Sequence, residues 1–289
     1  MKKNIKLAET LVEALPYIKK FNSKIIVIKY GGSIGSNDFI NFTRDVVLMK
    51  LLGLSPILVH GGGLEITKEL EKNNIESKFI NGLRVTCKKT VKIVENVLFN
   101  KINKQIVKMI IENGGKSIGI SGNKLGMLRV KKFTSGLNGA DIGKVGEITS
   151  VNKKLIKKYL DNDKIPVITP IGVNRIGETF NINADHAAAK IAACLKAEKL
   201  IILTDVEGII DNKNKLISSI NKKNINKLIK GKVIQKGMVP KVKNMIDALS
   251  DGVSKAHIID GRIKNAIILE MFTDSGIGTE ILLWGKIVK

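Results

Sequence analysis

Short, uninterrupted apolar runs, each followed by a stretch of helical periodicity, recur along this chain, and they constrain its fold more than any other feature. Runs at 24–30, 55–60, 116–120, 165–169, 199–204 and 255–260 have the length of strands and little polar alternation, so both faces of each must be covered. Helical patterns lie between most of them, over 37–52, 63–73, 88–112, 152–161, 185–196 and 241–251. Buried strands separated by helices predict an α/β fold, a three-layer αβα sandwich around a mainly parallel open sheet. Between 126 and 150 the pattern shifts to "GMLRVKKF" and "GKVGEITSVN", short alternating strands that fit a hairpin appendage. No internal repeat or low-complexity linker interrupts the chain, and a functional boundary falls most naturally near 170 to 185.

Composition narrows the partners. Only 4% of the 289 residues are aromatic against 44% hydrophobic overall, so Ile, Leu and Val must build the core. No apolar run reaches the 18 residues of a membrane span. The N-terminus, "MKKNIKLAETLVEALPYIKKF", lacks a signal peptide's apolar core, and Glu9 and Glu13 weigh against a transit peptide. Its Leu7, Leu11, Val12, Leu15 and Ile18 recur at helical spacing and predict an amphipathic helix. Cys87 and Cys194 are far apart and in no metal spacing, which predicts buried free thiols in a reducing compartment. The net charge of +23 invites a nucleic-acid hypothesis. The lysines, however, are spread along the chain among Asn and Ile, and few aromatics are available to stack on bases. The expectation is therefore no nucleic acid and no membrane, with the positive field serving a small anionic substrate. The Lys, Asn and Ile bias fits an AT-rich genome and leaves both the cytoplasm and, for an organelle-encoded chain, the plastid stroma as compartments.

Two of the apolar runs end alike. "KIIVIKYGGS" (24–33) delivers Lys29 and then Gly31-Gly32, and "SPILVHGGG" (55–63) delivers His60 and then Gly61-Gly62-Gly63. In open α/β sheets ligands bind at the carboxyl ends of the strands. Bare backbone there lets N–H groups turn toward an anion with no Cβ in the way. One such turn is commonly just a turn; two at strand ends, one with a lysine, point to a phosphate site. The P-loop, dinucleotide-binding and protein-kinase signatures are all absent.

With "NGLRVT" (81–86), "NINAD" (181–185), "LTDVEGI" (203–209) and "KGMVPKV" (236–242) following in order, the chain resembles the amino acid kinase superfamily and, within it, the acetylglutamate kinases. The resemblance runs from about residue 10 to 285. It implies transfer of the γ-phosphoryl of ATP to the side-chain carboxylate of N-acetyl-L-glutamate, the second step of arginine synthesis, with Mg²⁺ held mainly through the phosphates and no protein metal ligand. A carboxylate is already ionised at pH 7, so such a site needs cations and N–H donors rather than a general base. By resemblance Lys29 and Lys241 flank the transferring group, and Asp185 sits between them and holds them. As a residue, Asp185 also reads as an N-cap before "HAAAKIAA". Gly32 and Gly62 would lend N–H groups to phosphate oxygens, with Gly31, Gly61 and Gly63 shaping the turns and Gly62 and Gly63 also facing substrate. Arg84 would grip the substrate's α-carboxylate through a guanidinium fork, and Asn181 and Asn183 would read the acetamido or carboxylate groups. Thr204, Asp205, Gly237, Met238 and Lys241 would shape the nucleotide side. Where the family commonly has Gly-Gly-Met, this chain has Lys236-Gly237-Met238. His60 reads as a structural hydrogen bonder and His186 as helix surface.

The resemblance also divides the chain: 1–22 an oligomerisation helix, 23–180 the acetylglutamate-binding and dimerisation part, 181–289 the ATP-binding part with an arginine site. Similar N-terminal helices, carrying "EALPYI", interlace dimers into a hexamer, a trimer of dimers, in arginine-sensitive members. Tyr17, Lys199, His257, Glu270 and Gly278 would line that allosteric site, and L-arginine and a PII-type nitrogen-signalling protein are the implied regulators. The alternatives are another carboxylate kinase of the superfamily or a weakly catalytic sensor that binds arginine or a partner.

Overall fold

The computed structural model describes residues 1–31, 36–134, 140–235, 237–274 and 276–284, and the side chains of these except 2–4, 6–8 and 36–38. In chain order it runs through α1 (Lys2–Glu13), α2 (Leu15–Phe21), β1 (Ile25–Tyr30), α3 (Ser36–Leu51), β2 (Ser55–His60) and α4 (Gly63–Lys72). A small hairpin, β3 (Phe79–Ile80) and β4 (Leu83–Arg84), precedes one long helical stretch made of α5 (Lys88–Glu95), a π-helical segment (Asn96–Asn103) and α6 (Lys104–Glu112). Next come β5 (Ser117–Ser121), β6 (Leu128–Lys132), β7 (Gly146–Val151), α7 (Lys153–Asp161), β8 (Ile165–Thr169), β9 (Ile171–Val173), β10 (Thr179–Asn181) and α8 (Ala184–Leu195). The last third holds β11 (Lys199–Thr204), β12 (Ser219–Asn221), α9 (Lys222–Lys230), α10 (Met238–Ser250), β13 (Lys255–Asp260), α11 (Ala266–Phe272) and β14 (Thr279–Leu282).

Eight strands form one sheet in the order β12-β14-β13-β11-β1-β2-β8-β5. All its pairs are parallel except β13 with β14. Alternation along each strand divides the core in two. Val27, Ile57, Val59, Leu200, Ile202 and Ile258 enter the cluster on the side of α8 and α10. Ile26, Ile28, Leu58, Ile201, Leu203 and Ile259 enter the cluster on the side of α3, α6 and α11. This is the expected αβα sandwich, and each expected strand and helix is present within a few residues of its sequence bounds.

Three expectations are corrected. The 126–150 hairpin is not an appendage: β6 and β7 pair antiparallel, but β9 and β10 join them in a four-stranded sheet of order β10-β9-β6-β7. The N-terminal segment is two helices, because Ala14 breaks the pattern and Pro16 opens α2, where its missing N–H costs nothing. Cys87 is exposed and Cys194 is half-buried, so neither is a buried thiol.

Candidate active site

Side-chain parity places the chemistry. Lys29 shares a face of β1 with Val27, so its side chain leaves the sheet on the side of α8 and α10. Helix α8 can lie close to that face because its inward residues Ala187, Ala188, Ala189 and Ala192 are small and buried. Its first turn thereby brings Asp185 to Lys29, with Oδ1 3.1 Å from Nζ. From α10, Lys241 reaches the other oxygen of the same carboxylate at 2.7 Å. One buried carboxylate thus holds two ammonium groups at the carboxyl end of the sheet. Burial alone would push the Asp185 carboxyl up, but Lys29 and Lys241 outweigh it and hold its pKa at about 2. Lys29 is drawn below its ordinary value, foremost by burial, with Asp185 opposing. The N-cap of α8 is Asn183, whose side chain accepts from the His186 N–H at 3.0 Å, so the carboxylate of Asp185 is left to the lysines.

Lys29 and Lys241 face a cavity of about 340 Å³ that Gly31, Gly63, Leu64, Thr67, Phe79, Arg84, Leu203, Thr204 and Asp205 also line. A second cavity of about 170 Å³ shares Gly63, Phe79 and Arg84 and adds Gly61, Gly62, Asn181 and Asn183. The two form one crevice with the lysines and Thr204 at one end and the asparagines at the other. Arg84 stands at the junction. Its Nη2 donates to the Gly63 carbonyl and the Thr67 hydroxyl, both at 2.9 Å, its Nη1 donates to Ser77 at 2.5 Å, and its plane lies over the Phe79 ring, 4.6 Å from the centroid. All these partners are neutral. Among the described residues no carboxylate pairs with this 7%-exposed cation, and burial draws its pKa down. A sequestered guanidinium without a counter-ion is suited to an anionic ligand.

Of the expected glycines, Gly32 lies outside the described residues, as does Lys236. None of Gly31, Gly61, Gly62 and Gly63 is at positive φ, and Gly62 is extended at −173°. What Gly62 requires is space: a Cβ there would stand 2.5 Å from Ile102 and 2.7 Å from Leu98. The Gly61 N–H does not face a ligand, because it donates to the Tyr30 carbonyl at 2.8 Å. Gly62 and Gly63 open α4, where N–H groups have no carbonyl one turn earlier. Thr204 ends β11 and Asp205 follows it, lining the same cavity as Lys241, whereas Gly237 and Met238 lie one turn before Lys241, at the start of α10. Asn181 donates to Thr86 at 3.3 Å. His186 is half-buried rather than on the helix surface, with Nδ1 3.2 Å from the Asn244 amide oxygen. Among the described residues no three His, Cys, Asp or Glu side chains cluster as metal ligands, and no helix is long and apolar enough to cross a membrane.

Tyr17, Lys199, His257, Glu270 and Gly278 line a separate cavity of about 260 Å³. Glu270 is its centre, 2.6 Å from His257 Nδ1 and 3.4 Å from Lys199 Nζ, and it accepts the Ile277 N–H at 3.1 Å. Burial would raise this carboxyl; His257 and Lys199 reverse that and hold it at about 2. Tyr17 hydrogen-bonds Asp274 across the mouth. At Gly278 a Cβ would sit 2.1 Å from the Ile258 carbonyl oxygen, so a side chain cannot be accommodated. Sequence reasoning missed Ser77, Thr67 and Phe79, the neighbours that hold Arg84; nothing in their local pattern marks them, because they meet Arg84 only through the folded hairpin.

This chain belongs to the amino acid kinase family, whose sequence profile matches residues 24–260. Within that family its similar curated relatives are acetylglutamate kinases. That of Caldanaerobacter subterraneus subsp. tengcongensis is 53% identical over 279 residues, 95% of this chain and 92% of the relative. That of Aquifex aeolicus is 48% identical over 297 residues, 98% of this chain and 100% of the relative. Among solved structures, N-acetylglutamate synthase from Neisseria gonorrhoeae, complexed with coenzyme A and N-acetyl-glutamate, superposes with a TM-score of 0.86 at 22% identity, over 96% of this chain and 64% of that one. This chain therefore spans just under two thirds of the synthase, and the likeness is one of fold. A Streptococcus mutans protein is 30% identical with a TM-score of 0.75, over 89% of this chain and 98% of that one.

Proposed function

We infer that this chain is an acetylglutamate kinase, an ATP-dependent phosphotransferase that converts N-acetyl-L-glutamate to N-acetyl-L-glutamyl 5-phosphate in arginine biosynthesis. The observation that carries the reading is the pairing of Lys29 and Lys241 on one buried carboxylate at a crevice whose other cation, Arg84, has only neutral partners. Nucleophile and donor in this reaction are both anions, so the barrier is dominated by positioning and charge. Lys29 and Lys241 neutralise the transferring group, and Asp185 keeps both ammonium groups converged without touching substrate. Arg84 holds the α-carboxylate, with Asn181 and Asn183 beside it. Thr204 and Asp205 line the nucleotide end. Mg²⁺ enters bound to the phosphates of ATP. The test is a coupled assay across acetylglutamate, glutamate, aspartate and UMP. Turnover confined to acetylglutamate supports the reading, and preference for any other acceptor replaces it with a different kinase of the family.

The reading extends to regulation. L-arginine is the ligand we assign to the second cavity, where Glu270 meets the guanidinium and Lys199 and Lys20 are near enough to draw the carboxylate. The exposed Leu11, Val12 and Leu15 of the N-terminal helices, at 64%, 62% and 56%, are the surface that joins dimers into a hexamer. Inhibition by arginine, titrated in the same assay, tests the first statement.

A further inference from the structure

Behind the Gly61–Gly63 turn lies a buried polar chain that the transfer chemistry leaves unused. His60 pairs laterally with Tyr30, so it faces away from Lys29, into the α3 and α6 side of the sheet. That side is closed by the long stretch Lys88–Glu112, whose middle, Asn96–Asn103, is wound as a π-helix. Such segments are rare and concentrate at functional sites. Two independent contacts tie this one to the glycine turn. Leu98 and Ile102 fill the space a Cβ at Gly62 would need. Asn103, 1% exposed, has its Nδ2 2.9 Å from the Val167 carbonyl oxygen, 3.1 Å from Thr169 Oγ1 and 3.1 Å from His60 Nε2. The other ring nitrogen, His60 Nδ1, lies 3.2 Å from the Gly61 carbonyl oxygen.

Donor and acceptor chemistry selects the tautomer of the ring. The Val167 carbonyl can only accept, so the Asn103 atom facing it is the amide nitrogen. The Gly61 carbonyl likewise can only accept, so His60 Nδ1, 3.2 Å from it, is the ring nitrogen that donates, and Nε2 is left to accept from one of the two Asn103 amide hydrogens or from the Thr169 hydroxyl 3.4 Å away. The proton of the neutral ring is then on Nδ1 and is donated to the Gly61 carbonyl. Burial pushes the His60 pKa down to about 4, so the ring stays neutral at any working pH. The Gly61 carbonyl and the Gly62 N–H belong to one planar trans peptide and point in opposite directions. Holding the carbonyl back toward His60 therefore aims the Gly62 N–H forward, into the crevice.

We propose that Asn103 and His60 are positioning residues for phosphoryl transfer: through Nδ1–H they orient the Gly61–Gly62 peptide so that its N–H meets the anionic reactants. The proposal rests on reading that turn as an anion seat. Two measurements test it. First, the protein has three histidines, so ¹⁵N-histidine labelling gives a resolvable long-range proton–nitrogen spectrum, with His60 assigned by its loss in His60→Asn. The expected tautomer is Nδ1–H, unchanged from pH 5.5 to 8; an Nε2–H ring overturns the proposal. This readout does not depend on activity. An enzyme inactive on acetylglutamate that still shows the Nδ1–H ring would count against the function, not against the clamp. Second, His60→Asn keeps a donor where Nδ1 was, while His60→Gln keeps a polar atom near Asn103 and loses that donor. The Asn variant should retain most of its kcat. The Gln variant should lose about 10- to 100-fold in kcat at the same melting temperature, the scale of losing a group that orients a reacting one, short of the roughly 10²–10³ lost when a preorganised donor itself is deleted. Equal kcat in the two variants overturns it.

Discussion

At the scale of single residues, Asp185 is the organiser. It touches no reactant in the inferred mechanism, yet two cations depend on it. Lys29→Ala and Lys241→Ala should each lower kcat by about 100-fold or more with KM little changed, since each cation acts on charge that develops in transfer. Near-normal turnover in either removes that lysine from the mechanism. Arg84 presents the opposite case, a cation whose use is binding. Arg84→Lys retains the charge but cannot make the fork to Gly63, Thr67 and a carboxylate together, so the KM for acetylglutamate should rise well beyond that for ATP. If the ATP constant moved more, Arg84 would belong to the nucleotide. A third residue acts on stability alone. Asp45, buried in α3, accepts the Ile267 N–H at 3.3 Å, and burial raises its carboxyl to about 7 against the pull of the Ile267 and Ile268 amides. Below its unfolded value near 4 the group is protonated in both states. Between about 4 and 7 only the unfolded chain releases the proton, so this group's contribution to stability falls across that window and is flat above it. Asp45→Asn should therefore gain stability over the parent as pH rises from 4 to 8, by at most ~4 kcal/mol. Parallel melting-temperature profiles for the two proteins would show that Asp45 is not so perturbed.

Among elements, the N-terminal pair divides its labour. Helix α2 belongs to the fold: Phe21 is 3% exposed in the core beside α3, and Tyr17 lies at the mouth of the Glu270 cavity. In α1 the described Ile5, Leu11 and Val12 are each at least half exposed. These described apolar side chains of an amphipathic helix stand in water and find no cover within their own subunit. Removing residues 1–13 should therefore reduce the assembly, by size exclusion with light scattering, from hexamer to dimer while leaving basal kinetics intact. A parent protein already dimeric would end that proposal. Removing 1–22 is the harsher change, because loss of a buried Phe costs about 3–5 kcal/mol, and lower stability would confuse the result.

Across the whole molecule, the two candidate sites occupy opposite ends and opposite faces of one sheet. Lys29 and Thr204 are at carboxyl ends, on or beside the α8 face; Lys199 and Lys255 begin β11 and β13, and His257 and Glu270 lie on the α11 face. The proposed inhibition by arginine would have to be carried by a shift of whole elements between two states that arginine binds unequally. Glu270→Gln should then abolish inhibition by arginine while kcat and both KM values stay near those of the parent. Loss of basal activity in step with loss of inhibition would place Glu270 in the catalytic apparatus instead.

The layer architecture is legible in the local pattern, because uninterrupted Ile, Leu and Val runs must be covered on both faces and the helices between them supply the cover. The sequence also marked Lys29, Asp185, Lys241 and Arg84, through strand-end lysine, glycine turns and ordered motifs. What the tertiary structure added is where the two strand ends point and what each meets. Lys29 stands two residues before its glycines and His60 one, and lateral register sets Lys29 beside Val59 and His60 beside Tyr30, so one faces α8 and the other faces Asn103. A one-residue offset in a period-two strand exchanges those faces, and it is fixed by pairing between strands distant in sequence, which no local pattern contains. The same reason hid Ser77, Thr67 and Phe79 around Arg84, the joining of β9 and β10 to the 126–150 hairpin, and the service of Asn183 rather than Asp185 as the cap of α8. Each depends on where a neighbour arrives in space.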